Sequence, residues 1–260
     1  MDWKADYEGK LTSAEEAIKV VKSGDNVAFA YGTEPLSLGL ALLNRGIEVG
    51  GLNIFVPAPG RDFAWYEREW KDIFQIEMAH VLPIVQQMVS EKRGDFLVGS
   101  LVWAHESGIR RKADVILTQL SPPDEHGYCS FGASLWNKKQ AIKEANIVLA
   151  EVNQNLIRTY GDNFIHVSEI DCFVEYTPSG RVPGATDMLG RKTTGPRERE
   201  KKISQYVSSL IGDGDTIEIG VGGTAEWLLR LGAFDDKHDL GWHSENTPPG
   251  VVDLVRRGIM

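Results

Sequence analysis

The residues best suited to chemistry are one glutamate and a glycine-rich turn. Glu245 stands between His243-Ser244 and the stiff segment Asn246-Thr247-Pro248-Pro249-Gly250. Some twenty residues earlier, Gly220-Val221-Gly222-Gly223-Thr224 separates a strand-like run from a helix-like one. Such a turn offers backbone N–H groups at a helix start, which suit a phosphate or a developing oxyanion. A carboxylate near such donors fits covalent catalysis on an activated acyl group. A surface carboxylate and a turn that only permits a tight bend are the plainer alternatives.

Other chemistries lack their signatures. The glycine turn is not a dinucleotide fingerprint, because Ala225 occupies the place of the third glycine, and the sequence has no phosphate-loop motif. It has no Gly-x-Ser-x-Gly elbow for serine hydrolysis. Cys129 and Cys172 are far apart, and Asp124 with His126 lacks a third ligand, so neither a disulfide scaffold nor a metal site is expected.

Composition describes an ordinary globular protein with an acidic balance. The 260 residues are 42% hydrophobic and 25% charged, and the formal net charge is −9. This length suggests one or two domains. The negative charge disfavours nucleic acid or an anionic membrane as a partner. The polar start and the lack of a long apolar run predict a cytoplasmic protein without a signal peptide or membrane span.

Strands alternate with helices along the chain. The run Leu11 to Val21 predicts a helix capped by Thr12 or Ser13, and Leu36 to Leu43 predicts another. Strands are predicted at Val27 to Tyr31, Leu52 to Val56, Val115 to Leu120 and Ile147 to Ala150. This alternation predicts an α/β fold with a largely parallel sheet.

An internal repeat indicates two related domains. Gly24-Asp25-Asn26-Val27-Ala28-Phe29-Ala30-Tyr31-Gly32 matches Gly214-Asp215-Thr216-Ile217-Glu218-Ile219-Gly220-Val221-Gly222 in pattern, and a helix-like segment precedes and follows each copy. The basic, Pro/Gly-rich stretch between the copies predicts domains at 1–187 and 188–260. About 70 residues are too few to repeat the first domain, so the second is expected to be incomplete here.

Polar turns follow three of the predicted strands. They are Gly32-Thr33-Glu34-Pro35, Ser121-Pro122-Pro123-Asp124-Glu125-His126-Gly127, and Glu151-Val152-Asn153-Gln154-Asn155. Ligands of open α/β sheets bind beyond the carboxyl ends of the strands, so the second and third of these turns are candidate site segments, whereas the first only separates its strand from the next helix. Plain turn chemistry explains the second segment equally well, and a solvated strand end explains the third.

Longer motifs resemble the family I coenzyme A transferases, in the branch of the 4-hydroxybutyrate CoA-transferases and acetyl-CoA hydrolase/transferases. The resemblance rests on Ser121 to Gly132, Val152 to Asn155, Arg158 to Asp162, Phe164 to Ser168, Gly220 to Gly223, Gly241 to Glu245 and Gly250 to Leu254. It implies two related α/β domains of the CoA-transferase type. It also implies that Glu245 forms a glutamyl-CoA thioester in a ping-pong transfer of CoA between an acyl-CoA and a small carboxylic acid.

The same resemblance implies roles for the turns. CoA is a substrate and no tightly bound cofactor is expected. Gly220, Val221, Gly222, Gly223 and Thr224 would line the CoA thioester. The acyl pocket would draw on Gly32, Thr33, Glu34 and Pro35, and on Ser121, Pro122, Pro123, Glu125, His126 and Gly127.

The sequence departs from the family pattern after the glycine turn, at Thr224-Ala225, and after Glu245, at Asn246 to Pro249. Family members also continue beyond the position of Met260, so the expectation is a second subunit that completes the second domain in a hetero-oligomer. Three alternatives remain open: an acyl-CoA hydrolase, a non-catalytic acyl-CoA-binding subunit, and a fragment of a longer protein.

Overall fold

The computed structural model describes residues 2–99, 112–177 and 195–260 of the chain. It divides into two compact units, 1–190 and 191–260. The predicted boundary between residues 187 and 188 lies outside the described residues.

The first unit is built on a seven-stranded sheet whose pairings are all parallel. Its strand order is β4-β3-β2-β1-β5-β7-β9. The strands are β1 (Asn26–Phe29), β2 (Leu52–Phe55), β3 (Phe74–Met78), β4 (Gly94–Phe96), β5 (Val115–Leu120), β7 (Ile147–Val152) and β9 (Cys172–Glu175). A small antiparallel pair joins β6 (Tyr128–Ser130) to β8 (Phe164–His166). The chain leaves β1 towards β2 on one side and returns to β5 on the other, so the strand order reverses between β1 and β5.

Short helices connect these strands. They are α1 (Trp3–Gly9), α2 (Ala14–Ala17), α3 (Leu36–Val49), α4 (Gln86–Ser90) and α5 (Lys138–Glu144). Single 3-10 turns occur at Ile18–Val20, Arg68–Trp70, Pro83–Val85 and Val167–Glu169. Both faces of the sheet contribute to apolar clusters, one around Phe29, Trp65 and Phe74 and the other around Ile116, Phe131 and Phe173.

The predicted helices exist with different bounds. Ser13 caps α2, since its hydroxyl accepts from the Glu16 N–H at 3.2 Å, but the helix changes to a 3-10 turn at Ile18 and ends near Val20. β-branched Ile18, Val20 and Val21 follow one another closely, and such residues favour a helix less than unbranched ones. By contrast, α3 continues to Val49, six residues beyond the predicted range, and ends at Gly50 with φ of +67°.

The second unit contains one parallel strand pair and three helices among its described residues. These are α6 (Glu198–Leu210), β10 (Thr216–Ile217), α7 (Gly223–Arg230), β11 (Gly241–Trp242) and α8 (Val251–Arg256). Its core gathers Ile217, Ile219, Phe234, Leu240 and Leu254. None of the α7 residues is buried, so this core is small.

The two repeat copies make equivalent hydrogen bonds. Asp25 accepts the Lys22 N–H at 2.8 Å, and Asp215 accepts the Gly212 N–H at the same distance. The carbonyl of each aspartate accepts an N–H of the next parallel strand, from Asn53 at 3.0 Å and from Gly241 at 2.9 Å. The repeat is therefore present in the backbone as well as in the sequence.

No helix among the described residues combines the length and apolar character that crossing a bilayer requires.

Candidate functional site

Glu245 and the glycine turn follow neighbouring strands at the same end. β10 pairs in parallel with β11, with Ile217 opposite Trp242, and both carboxyl ends therefore point the same way. The Ser244 hydroxyl accepts from the Ile219 N–H at 3.3 Å and donates to the Ile219 carbonyl at 3.2 Å. Two hydrogen bonds thus join Ser244, the residue before Glu245, to Ile219, the residue before Gly220.

The glycine turn presents backbone donors to solvent. Gly220, Val221 and Gly223 are exposed, and Val221 keeps 54% of its surface. α7 begins directly at Gly223, and no side chain caps it. The first N–H groups of a helix have no partner within the helix, so Gly223, Thr224 and Ala225 add free donors. This end of the unit can bind an anion or an oxyanion.

The segment after Glu245 packs back onto α7. Gly250 has φ of +110°, and a Cβ there would lie 3.1 Å from the Cβ of Leu229. A glycine satisfies both the left-handed backbone and the close approach. Pro248 is buried, whereas Glu245 is exposed in a bend. The glutamate therefore projects from a segment anchored on both sides.

In the first unit, the turn after β1 contains a buried carboxyl group. Glu34 is 4% exposed, and its Oε1 accepts the Gly60 N–H at 2.9 Å. Burial raises the pKa of Glu34 to about 7, although the Gly60 hydrogen bond and the nearby Arg61 charge both act to lower it. Glu34 is therefore held inside the protein and is substantially protonated at neutral pH.

Glu151, at the end of β7, fixes the start of α3. It is fully buried and accepts from the Leu36 N–H at 3.0 Å, from the Ser37 N–H and hydroxyl at 2.6 Å each, and from Gln119 Nε2 at 2.9 Å. The interpretation of this exit as a solvated strand end is therefore wrong for Glu151 and Val152, which are buried, whereas Gln154 and Asn155 are exposed. Pro35 precedes α3 and provides no side-chain cap, so a carboxylate from a distant strand replaces one.

The loop after β5 is shaped by Arg158. Its guanidinium donates to Ser121 Oγ at 2.9 Å, to the Pro122 carbonyl at 3.0 Å and to Asp124 Oδ2 at 2.8 Å. The Asp124 side chain also accepts the N–H groups of His126 and Tyr128. Those donors, with the Arg158 charge, hold the pKa of Asp124 below its usual range despite its partial desolvation.

Within that loop the predicted site residues differ in what they can do. Ser121 is buried, donates to the Pro122 carbonyl and accepts from the Ser130 N–H, so protein partners occupy its hydroxyl. Glu125 and His126 are exposed, and His126 Nε2 lies 3.5 Å from Glu125 Oε1. Gly127 has φ of +83°, and a Cβ there would lie 2.9 Å from Trp3 and His166, so its role is close packing.

Trp65 and Trp136 have different environments. Trp65 is 1% exposed and packs among Phe29, Phe63 and Phe74, so it belongs to the core. Trp136 is 41% exposed, has φ of +44°, and lies 4.9 Å from Tyr31 ring to ring.

Each unit thus brings some of the predicted residues to one edge. Glu245 and 220–224 lie at the carboxyl end of the β10–β11 pair. The turns 32–35 and 121–127 follow β1 and β5, which are neighbours in the larger sheet. The sequence interpretation did not name Lys138, and it included Glu151 and Arg158 only as members of a strand exit and of a family motif. Their signal is a charged side chain in or beside a segment of buried residues.

Comparisons with known proteins identify relatives of this chain. Residues 95–180 match the N-terminal domain of the acetyl-CoA hydrolase/transferase family. Over its whole length the chain is 33% identical to the 4-hydroxybutyrate coenzyme A transferase of Clostridium kluyveri, of which it spans 59%. Over 99% of its length it is 27% identical to the butyryl-CoA:acetate CoA-transferase of Anaerostipes caccae, of which it spans 58%.

Solved structures show the same fold. RipA from Yersinia pestis superposes on all of this chain with a TM-score of 0.85 and 26% identity, and the match covers 61% of RipA. The 4-hydroxybutyrate CoA-transferase of Porphyromonas gingivalis matches 99% of this chain with a TM-score of 0.74 and 27% identity, over 59% of its own length. These findings confirm the predicted resemblance and the α/β fold class. The chain is related by sequence and by fold to the coenzyme A transferases, of whose length it spans about three fifths.

Proposed function

We propose that the chain carries the nucleophile of a CoA-transferase that moves CoA between an acyl-CoA and a small carboxylic acid. One observation supports this most directly: Glu245 and the donors of the 220–224 turn leave adjacent parallel strands at the same end, linked by Ser244 and Ile219. The relatives are named CoA-transferases, and a carboxylate beside backbone N–H donors suits that reaction.

The proposed reaction proceeds through Glu245. Its carboxylate oxygen attacks the thioester carbonyl carbon and expels CoA thiolate, which leaves a mixed anhydride. The thiolate then attacks the glutamyl carbonyl carbon and releases the first acyl group as a carboxylate. An acceptor carboxylate then attacks the glutamyl carbonyl carbon of the resulting glutamyl-CoA and expels CoA thiolate, which again leaves an anhydride. The thiolate attacks the acyl carbonyl carbon of that anhydride, so that the new acyl-CoA forms and the Glu245 carboxylate is regenerated. Each addition creates an oxyanion that the N–H groups of 220–224 can stabilise.

The first unit would supply the acyl pocket. Its two candidate turns lie at the carboxyl ends of β1 and β5, where the strand order reverses, and ligands of open α/β sheets bind at such points. In this proposal Gly32 to Pro35 contact the acyl group. Exposed Glu125 and His126 lie at the rim, and Ser121 and Gly127 maintain the shape of the loop.

Mass spectrometry of the protein after incubation with an acyl-CoA tests the role of Glu245. We expect a CoA adduct on the peptide that contains Glu245, and its disappearance on addition of an acceptor acid. Glu245→Gln should lose the adduct and reduce transfer at least a thousandfold, as removal of a covalent nucleophile does. Glu218→Gln is the matched control, because Glu218 is exposed in the same unit. Wild-type turnover by Glu245→Gln would contradict the proposal.

Acyl-CoA hydrolysis is the second candidate, since the matching family includes acetyl-CoA hydrolases. Water would then take the place of the acceptor acid at the glutamyl thioester. Release of free CoA without any acceptor, at the rate seen with one, would favour the hydrolase. Binding of an acyl-CoA with neither an adduct nor turnover would instead indicate a non-catalytic subunit.

We further propose a second polypeptide that supplies the rest of the second domain. The relatives are longer than the region they share with this chain. On α6, Tyr206 and Leu210 are 70% and 80% exposed, and on α8, Val252 and Val255 are each 53% exposed. Large apolar side chains exposed on one small unit are a favourable surface for a partner.

A further inference from the structure

Lys138, the first residue of α5, is a buried cation without a carboxylate partner among the described residues. It is 3% exposed, and its Nζ donates to the Phe131 carbonyl at a long 3.4 Å. Its ammonium also lies 6.0 Å from the centre of the Phe131 ring. Buried lysines are nearly always paired, because an isolated charge is costly to remove from water. Burial lowers the pKa of Lys138 to about 8, so the amine is still mostly charged at neutral pH.

The ammonium lies against the turn that follows β1. Gly32 has φ of +110°, and a Cβ built on it would lie 2.6 Å from Ser134 Oγ and 3.2 Å from Lys138 Nζ. The missing side chain therefore lets a hydroxyl and an ammonium approach the same stretch of backbone. Gly32 and Ser134 are partly exposed and Thr33 is exposed, so the turn can be reached from solvent.

The surroundings resemble one end of a ligand site. β1 and β5 flank the reversal of strand order, where ligands bind in open sheets. Trp136, held at φ of +44°, lies beside Tyr31, whose hydroxyl hydrogen bonds to His80 Nδ1 at 2.6 Å. Trp136 and Tyr31 therefore form an aromatic pair, and Trp136 is two residues before Lys138 in the chain.

We infer that Lys138 and Ser134 bind a carboxylate of a small organic acid at the Gly32 turn, and that Lys138 determines which acids are accepted. This deepens the proposed function, since it names the group that recognises the acid. The ammonium gains the counter-charge that the described residues do not provide, and the neutral Ser134 hydroxyl donates a hydrogen bond to the same carboxylate. An anionic ligand would replace the long bond to the neutral Phe131 carbonyl by an ammonium–carboxylate ion pair.

Equilibrium binding of butyrate and succinate at constant ionic strength tests this inference, with the full chain and its completing subunit where one is needed. We expect Lys138→Met to weaken binding of at least one acid about tenfold or more, as loss of a charged hydrogen bond does. Lys139→Met is the matched control: it removes the neighbouring lysine, which is more exposed and ion-paired with Asp162. Unchanged affinity of both acids for Lys138→Met would overturn the inference.

The two acids identify the carboxylate that is bound. A loss of affinity confined to succinate means that Lys138 binds its second carboxylate. An equal loss of affinity for both acids means that Lys138 binds the carboxylate common to them. Ser134→Ala removes only a hydroxyl from a half-buried residue and should weaken binding about threefold, so it tests the site even if Lys138→Met fails to fold.

Glu245→Gln separates this inference from the proposed function. The variant should bind acids as the wild type does, with the same dependence on Lys138, because Glu245 is needed for the covalent steps alone. Absence of a CoA adduct in the wild-type protein would sink the proposed function and leave the acid-binding result intact. Loss of the Lys138 dependence would sink only the inference drawn from Lys138.

Discussion

At the scale of single residues, two glutamates among the candidate site residues, one in each unit, have opposite environments. Glu245 is exposed at the end of a short strand pair, whereas Glu34 is 4% exposed beneath Gly60. A nucleophile has to reach its substrate, so exposure suits Glu245. A buried carboxyl that keeps its proton can donate a hydrogen bond, which an ionised one cannot. The family resemblance pointed to both positions, but only packing reveals this difference.

The raised pKa of Glu34 predicts a pH dependence of stability. Its folded-state pKa, about 7, lies above the ordinary value of 4.5, so the folded state holds the proton more tightly than the unfolded chain. The stabilisation is fully present below pH 4.5 and is lost as pH rises to about 7. The loss amounts to about 3 kcal/mol at most, since each pKa unit corresponds to about 1.4 kcal/mol.

Urea denaturation at pH 5, 6, 7 and 8 measures this effect. Wild-type protein should lose free energy of unfolding over that range relative to Glu34→Gln, because the amide cannot ionise. Glu15→Gln, at an exposed position of α2, should follow the wild type. Parallel curves for wild type and Glu34→Gln would show that Glu34 does not titrate in this window. Among the described residues, Arg61 and Tyr66 are the ionisable groups that interact electrostatically with Glu34, and both are unchanged in both proteins.

At the scale of elements, single side chains from distant parts of the chain decide where helices and loops begin. Glu151 of β7 satisfies the first N–H groups of α3, and Arg158 gathers the loop after β5. Both place candidate site residues through contacts that span more than thirty residues of chain.

Replacement of Glu151 by Gln should release the start of α3. The amide keeps one acceptor oxygen but sets an NH2 group against N–H donors, so buried donors lose their partner. We expect a loss of about 2–4 kcal/mol in the free energy of unfolding, the range for one or two buried charge-assisted hydrogen bonds. Thermal or urea denaturation measures it. Glu144→Gln on α5 should change stability by less than about 0.5 kcal/mol, because Glu144 is exposed. Equal stability of both variants would refute the capping role.

The sequence predicted elements better than it predicted these contacts. β2, β5 and the start of α3 were found because apolar runs bounded by Gly, Asp or Pro give a local signal. β3, β4, β6, β8, β9 and β11 were missed: they are strands of two to five residues whose partners lie elsewhere in the chain. The Ser244–Ile219 link and the burial of Lys138 are likewise tertiary, and no local pattern encodes them.

At the scale of the whole molecule, the two units differ in how well they bury their apolar residues. In the first, α3 and the sheet bury Leu38, Leu42, Leu52 and Ile54 almost completely. In the second, α7 buries none of its residues, and α6 exposes Tyr206 and Leu210. A small core leaves little margin of stability, so this unit gains most from a partner.

Co-expression with a polypeptide that corresponds to the remaining two fifths of the relatives tests the proposed assembly. We expect one co-eluting species in size-exclusion chromatography with CoA-transferase activity, and association or poor recovery of this chain when it is made alone. Tyr206→Ser with Leu210→Ser should weaken the complex at least tenfold, because burial of one such side chain is worth about 1.5–3 kcal/mol. Leu40→Ser is the matched control, since Leu40 is 47% exposed in the first unit. A monomer of this chain that is fully active alone would contradict the second polypeptide and leave Glu245 as the nucleophile to be tested.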